Sequence, residues 1–155
     1  DIAIEAFKKS GKMLKIYGDG VDRKRLEQIA GEAPNIQFLG RVSEEEKIKL
    51  YSQCQAFLNP QEEDFGITVV EAMASGRPVI AYRKGGATET VIDGITGVFF
   101  NKQKASAIEE AVEKFGTLKF NPQEIKAHTE QYSEKFFRHN IKRFIDDEWE
   151  KFKTA

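Results

Sequence analysis

The sequence predicts an α/β domain: a parallel sheet flanked by helices, with a helical tail. Three observations predict it. Short apolar runs of strand character recur, each closed by Gly, Pro or Asn. Segments with helical spacing lie between them, so strand and helix alternate, as βαβ units require. The length of 155 residues with 40% hydrophobic content suits one domain with a real core.

The elements follow in order. Asp1 opens directly into the helical pattern of residues 2–7, an abrupt start that reads as a fragment of a longer chain. Residues 13–17 form a strand ending at Gly18-Asp19-Gly20. A polar helix covers about 23–30, and residues 36–39 form the second strand, stopped by Gly40. Ser43 with Glu46 is a capping box, serine at the N-cap and glutamate three residues on, and it starts a helix carrying Tyr51. Residues 56–58 are a third short strand, closed by Asn59-Pro60. A loop over 61–65 leads to a helix over about 68–75, which Gly76 ends. Residues 79–82 form the fourth strand, after Pro78. Gly85-Gly86 turns into a short helix near 88–92, and residues 97–100 are the fifth strand. Helices at about 105–115, 122–130 and 134–152 complete the chain.

Composition excludes several classes. Lys and Arg number 24 against 25 Asp and Glu, a formal net charge of −1. No global field recruits nucleic acid or an acidic membrane, so any anion site is built locally. Cys54 is the one cysteine, which rules out an internal disulfide and suits a reducing compartment. No apolar run approaches the roughly 20 residues that span a bilayer, and no stretch has the pattern of a signal peptide. His128 and His139 lie in the helical tail, far in sequence from the acidic loop, so no metal site is expected.

The chemistry concentrates in residues 61–81, QEEDFGITVVEAMASGRPVIA. Phe65-Gly66 falls where loop becomes helix. Glycine permits close backbone approach, and the free N–H groups and dipole of a helix start attract phosphate. Glu63 on the loop and Glu71, expected in the first helical turn, bracket that point. A carboxylate accepts from vicinal hydroxyls, as on a ribose or a hexose. Taken singly, such glutamates are commonly helix-dipole partners and Gly66 a turn glycine; the whole string carries the argument.

That string resembles the signature of the large group 1 family of retaining GT-B glycosyltransferases: glutamate, seven residues, glutamate, with Phe-Gly inside and Ala-Met-Ala-x-Gly-x-Pro-Val after. The likeness continues upstream in IYGDG at 16–20 and FLGRVSEEEKIKLY at 38–51, and downstream in GGATETVIDGITGVFF at 85–100. It implies a Rossmann-like, GT-B C-terminal half, closest to mannosyltransferases of polysaccharide assembly. Glu63, Asp64, Phe65 and Gly66 would hold the donor hexose, with Glu63 the residue nearest to catalysis. Glu71 would hold the ribose and Ile67 would pack beside the nucleoside. Val42, Glu44 and Lys47 would line the base, and the Gly18 turn would border the same cleft. Glu44 accepting from a guanine edge leans the donor towards GDP-mannose.

The resemblance also implies what this chain lacks: the family's first strand with its diphosphate-binding arginine and lysine, and the N-terminal acceptor domain. Nothing places Arg77 or Lys84 on the phosphates. The implied partners are the nucleotide sugar, the missing domain, and an acceptor glycan or lipid-linked sugar, with no metal or other cofactor. The implied location is the cytoplasm, with peripheral membrane association at its inner face through the missing domain. Two alternatives stay open: a GT-B-type epimerase or phosphorylase, although no lysine sits in a pyridoxal context, and a non-catalytic nucleotide-sugar-binding module. Phe137, Ile141, Phe144, Ile145, Trp149 and Phe152 follow helical spacing, a core stripe or an interdomain contact.

Overall fold

A computed structural model describes residues 1–154. Helix α1 (Ile2–Ser10) is capped by the Asp1 carboxylate, which accepts from the Ile2 N–H, and ends at Gly11 in the left-handed conformation. Strand β1 (Leu14–Tyr17) is followed by α2 (Arg23–Ala30), β2 (Ile36–Gly40) and α3 (Glu44–Gln53). The capping box is present: Ser43 Oγ accepts from the Glu46 N–H, and the Glu46 carboxylate from the Ser43 N–H. Then come β3 (Phe57–Asn59), α4 (Ile67–Ala74), β4 (Val79–Tyr82), α5 (Ala87–Thr90), β5 (Gly97–Phe100) and α6 (Ala105–Thr117). Helix α7 (Pro122–His128), a 3₁₀ turn (Thr129–Tyr132) and α8 (Glu134–Thr154) finish the chain.

All strand pairing is parallel, as expected, but the strands form two sheets rather than one. β1 pairs with β2, and β3, β4 and β5 lie in that order. Among the described residues, β1 has no ladder partner on its second side, and neither has β3. Burial follows from this. β4 and β5 are buried at every position, as parallel strands covered on both faces should be. β1 and β2 are only half covered.

Two apolar clusters form the core. One joins Ala6 of α1 to Ile80, Tyr82, Val98 and Phe100 of β4 and β5 and to Ile108 of α6. The other joins Tyr51 of α3 to Val69 and Met73 of α4, with Tyr17 of β1 and Phe57 of β3 packed against it. Helix α1, packed against α6 as well as α2 and β2, ties one face of the two sheets, and a ladder of edge-on rings ties the other: Tyr17 to Tyr51 at 6.2 Å and Tyr51 to Phe57 at 5.7 Å.

Helix α8 differs from the core-stripe reading, because none of its residues is buried. Phe137, Phe144, Ile145, Trp149 and Phe152 are all more than half exposed. It holds its shape through its own ion pairs, such as Arg138 with Glu134 and Lys142 with Asp146 at 2.6 Å each, and through contact with the 3₁₀ turn. Among the described residues, no helix is long and apolar enough to cross a membrane.

Candidate functional site

The site lies where the C-terminal ends of β1 and β2 and the loop after β3 meet the start of α4. Gly66 begins that helix with φ +81°, a left-handed conformation open to glycine at little cost. No side chain caps the helix. The N–H groups of Ile67 and Thr68 find no partner among the described residues, so they remain available for an anion.

The loop entering α4 is clamped from outside. The Gly86 N–H donates to the Glu63 carbonyl at 2.8 Å. A Cβ on Gly85 would overlap that carbonyl, and one on Gly86 would overlap the backbone of Asp64 and Phe65. Gly85-Gly86 is more than the expected turn: the pair is the floor on which the Glu63–Phe65 loop lies. Glu63 is half-buried, with Oε2 3.3 Å from where a Gly66 Cβ would stand. Asp64 is exposed. The Phe65 ring turns away from Gly66 and meets Tyr132 edge-on at 5.9 Å. There it lines a groove of about 790 Å³ against Phe137, Ile141 and Phe144 of α8.

Glu71 falls one position deeper in the helix than expected. It is the fifth residue of α4, not a member of its first turn. Its Oε1 accepts from Lys47 Nζ at 2.9 Å and its Oε2 from the Tyr51 hydroxyl at 3.2 Å. The Lys47 ammonium also meets Glu44 at 2.9 Å. Those two carboxylates, Glu44 foremost, hold the Lys47 pKa well above the ordinary lysine range. Burial, more than any neighbour, pushes the phenol of Tyr51 up. The Tyr17 hydroxyl is 2.7 Å from that of Tyr51, and the next residue is Gly18, whose N–H donates to the Gly40 carbonyl at 2.7 Å.

The structure thus gathers Glu44, Lys47 and Glu71 through one polar network, with Gly18 next in the chain to its member Tyr17, and Glu63, Asp64 and Gly66 at the helix start. Val42 is half-buried in the β2–α3 loop, and Ile67 is exposed as the first residue of α4. Neither side chain enters the polar network. Tyr17 and Tyr51 are the members sequence reasoning missed. Arg77 turns elsewhere, donating to the Ser52 carbonyl, and Lys84 lies 6.0 Å over the Tyr82 ring. His128 bonds the Thr90 carbonyl at 2.8 Å. Among the described residues, no three His, Cys, Asp or Glu side chains gather as a metal site.

The fold is that of the GT-B glycosyltransferases. The chain belongs to the family Glycosyl transferases group 1, which matches residues 1–136. An uncharacterized glycosyltransferase of Methanocaldococcus jannaschii is 36% identical over 115 residues, covering 72% of this chain and 33% of that protein. The GDP-mannose-dependent alpha-(1-6)-phosphatidylinositol monomannoside mannosyltransferase of Mycolicibacterium smegmatis is 34% identical over 110 residues, covering 64% of this chain and 29% of its own. The crystal structure of Anabaena HepE in complex with UDP and glucose superposes with a TM-score of 0.68 at 25% identity, covering 84% of this chain and 39% of that one. The matches span between 16% and 33% of the length of such curated relatives.

Proposed function

We propose that this chain is the donor half of a retaining hexosyltransferase that binds a nucleoside-diphosphate hexose, leaning to GDP-mannose. The observation that carries the proposal is the uncapped start of α4 between two carboxylates: Glu63 beside Gly66, and Glu71 one turn in. In this reading the Ile67 and Thr68 N–H groups meet the diphosphate, Glu63 and the backbone of Asp64, Phe65 and Gly66 orient the hexose, and Glu71 takes the ribose. Val42, Glu44 and Lys47 border the base, with Ile67 beside the nucleoside and Gly18 at the rim. Charge building on the departing diphosphate is stabilised by dipoles already in place, the effect that dominates catalysis of this kind. Glu63 positions the donor without attacking it. The lean to guanine rests on Glu44, an exposed acceptor beside the base site, and on the mannosyltransferase relative.

The acceptor, a glycan or lipid-linked sugar, belongs in this reading to a second domain outside the chain. In this reading a further strand bearing the diphosphate cations pairs with the side of β1 or β3 that has no ladder partner among the described residues. That second domain would also carry the membrane association at the cytoplasmic face. The 155-residue chain alone then transfers no sugar, because catalysis needs donor and acceptor held together in one closed cleft.

Calorimetry of the full-length enzyme against GDP-, UDP- and ADP-sugars tests the donor class. One base should bind clearly ahead of the others; binding of none of them would overturn the reading. The same titration in EDTA should give unchanged affinity, since backbone N–H groups and side-chain cations meet the phosphates. A large loss restored by magnesium would show that a divalent ion belongs in the site.

A further inference from the structure

The side chains that hold Glu71 in place have a direction built into them. Tyr51 is 3% exposed, its ring set edge-on between Tyr17 and Phe57 at interplanar angles of 85° and 84°. Its hydroxyl touches two groups, Glu71 Oε2 at 3.2 Å and the Tyr17 hydroxyl at 2.7 Å. An ionised carboxylate only accepts, and each phenol has one proton to give. The Tyr51 proton therefore points at Glu71, and the Tyr17 proton at the Tyr51 oxygen. The chain runs one way: Tyr17 to Tyr51 to Glu71.

Lone-pair counting shows what this leaves. A carboxylate offers about four acceptor sites, two on each oxygen. Lys47 fills one on Oε1 and Tyr51 one on Oε2. One site stays free on each oxygen. Two adjacent acceptors on a carboxylate whose rotation is fixed match the two hydroxyls of a cis-diol. Without Tyr51, only the Lys47 pair, on a flexible stem, would orient the group.

We propose that Tyr51, anchored by Tyr17, is a positioning residue that fixes the Glu71 carboxylate to receive the two ribose hydroxyls of the donor nucleotide. This rests on the reading of Glu71 as the ribose acceptor. It gives the β1 end a second role, because Tyr17 precedes Gly18 and so links the cleft rim to the diol acceptor on α4.

The test measures dissociation constants of UDP and GDP, each beside its 2′,3′-dideoxy counterpart, for the full-length protein and its Tyr51→Phe variant. Wild type should prefer the better-binding ribonucleotide by about ten-fold or more, the scale of hydrogen bonds to a charged group. Tyr51→Phe should cut that preference to within about three-fold, by weakening the ribonucleotide and leaving the dideoxy form unchanged. A merely structural role would weaken both forms together, and that result overturns the proposal, as does an unchanged preference. If wild type binds both forms equally, the ribose role of Glu71 fails and this proposal with it. If wild type discriminates and Tyr51→Phe does likewise, only the positioning role fails. Tyr17→Phe should lower the preference less, in the same sense. Should Tyr51→Phe not fold, Tyr17→Phe decides, and an undiminished preference there contradicts the proposal.

Discussion

Glu71 is about one-third exposed at the side chain and takes two donors from within the chain. Replacing it by alanine removes a charged acceptor without opening the core, since its neighbours Ala72 and Met73 carry the buried face of α4. Glu71→Ala should therefore weaken nucleotide binding by about 1.5–3 kcal/mol, roughly ten- to hundred-fold, with the fold intact. Unchanged affinity in a folded variant counts against the ribose role. The tyrosines offer a second reading at this scale. Burial raises the Tyr51 pKa above its value in the unfolded chain. A group raised on folding contributes fully below its unfolded pKa, so stability should begin to fall as pH rises through about 10. Absorbance should show the Tyr51 phenolate appearing only with alkaline unfolding; free ionisation of all four tyrosines in the folded state would contradict the burial. Glu63, Gly66 and Glu71 were legible because their spacing sits in a distinctive string. Tyr17 and Tyr51 were not, because a tyrosine at a strand end and one on a helix face look like any core aromatic. Only the fold brings two hydroxyls 34 residues apart within 2.7 Å.

Among the elements, α4 carries the most consequence. Gly66→Val should damage donor binding, because a β-branched side chain blocks close backbone approach at the helix start. The geometry adds a stability cost. At φ +81° a β-branched residue is strained, and its Cβ would stand 3.3 Å from both Val69 Cγ2 and Glu63 Oε2. Positive φ alone costs about 1–2 kcal/mol, so Gly66→Val should lower the melting temperature and the donor affinity together. A valine variant as stable as wild type would show that this backbone tolerates a side chain. Element order and type were readable throughout, because apolar runs and caps are local signals. Boundaries moved by one to three residues where tertiary contacts decide them. The short helix after Gly85-Gly86 starts at Ala87, drawn back by the bond from the Gly86 N–H to the Glu63 carbonyl. The helix expected over 122–130 yields to a 3₁₀ turn at Thr129, whose hydroxyl donates to the Lys126 carbonyl.

At the scale of the whole molecule the parallel strands and flanking helices are as expected, and the strands divide into two ladders, β1-β2 and β3-β4-β5. Strand signals are local, whereas the neighbour of a parallel strand is set at long range, so β1 and β3 without shared ladders left no trace in the sequence. The exposed face of α8 has a similar origin. Helical spacing reports an apolar stripe, and nothing in the spacing says whether this chain itself covers it. In the proposed function the nucleotide sits on the uncapped start of α4, between Glu63 and Glu71. A backbone-amide NMR titration of the 155-residue chain with GDP-mannose and UDP-glucose tests it most directly, because weak binding still reports its location. Affinity of about millimolar order is expected, with shifts concentrated at Gly18, Lys47, Gly66, Ile67, Thr68 and Glu71. Shifts centred instead on Tyr132 and α8, with the first turn of α4 unmoved, would contradict the account.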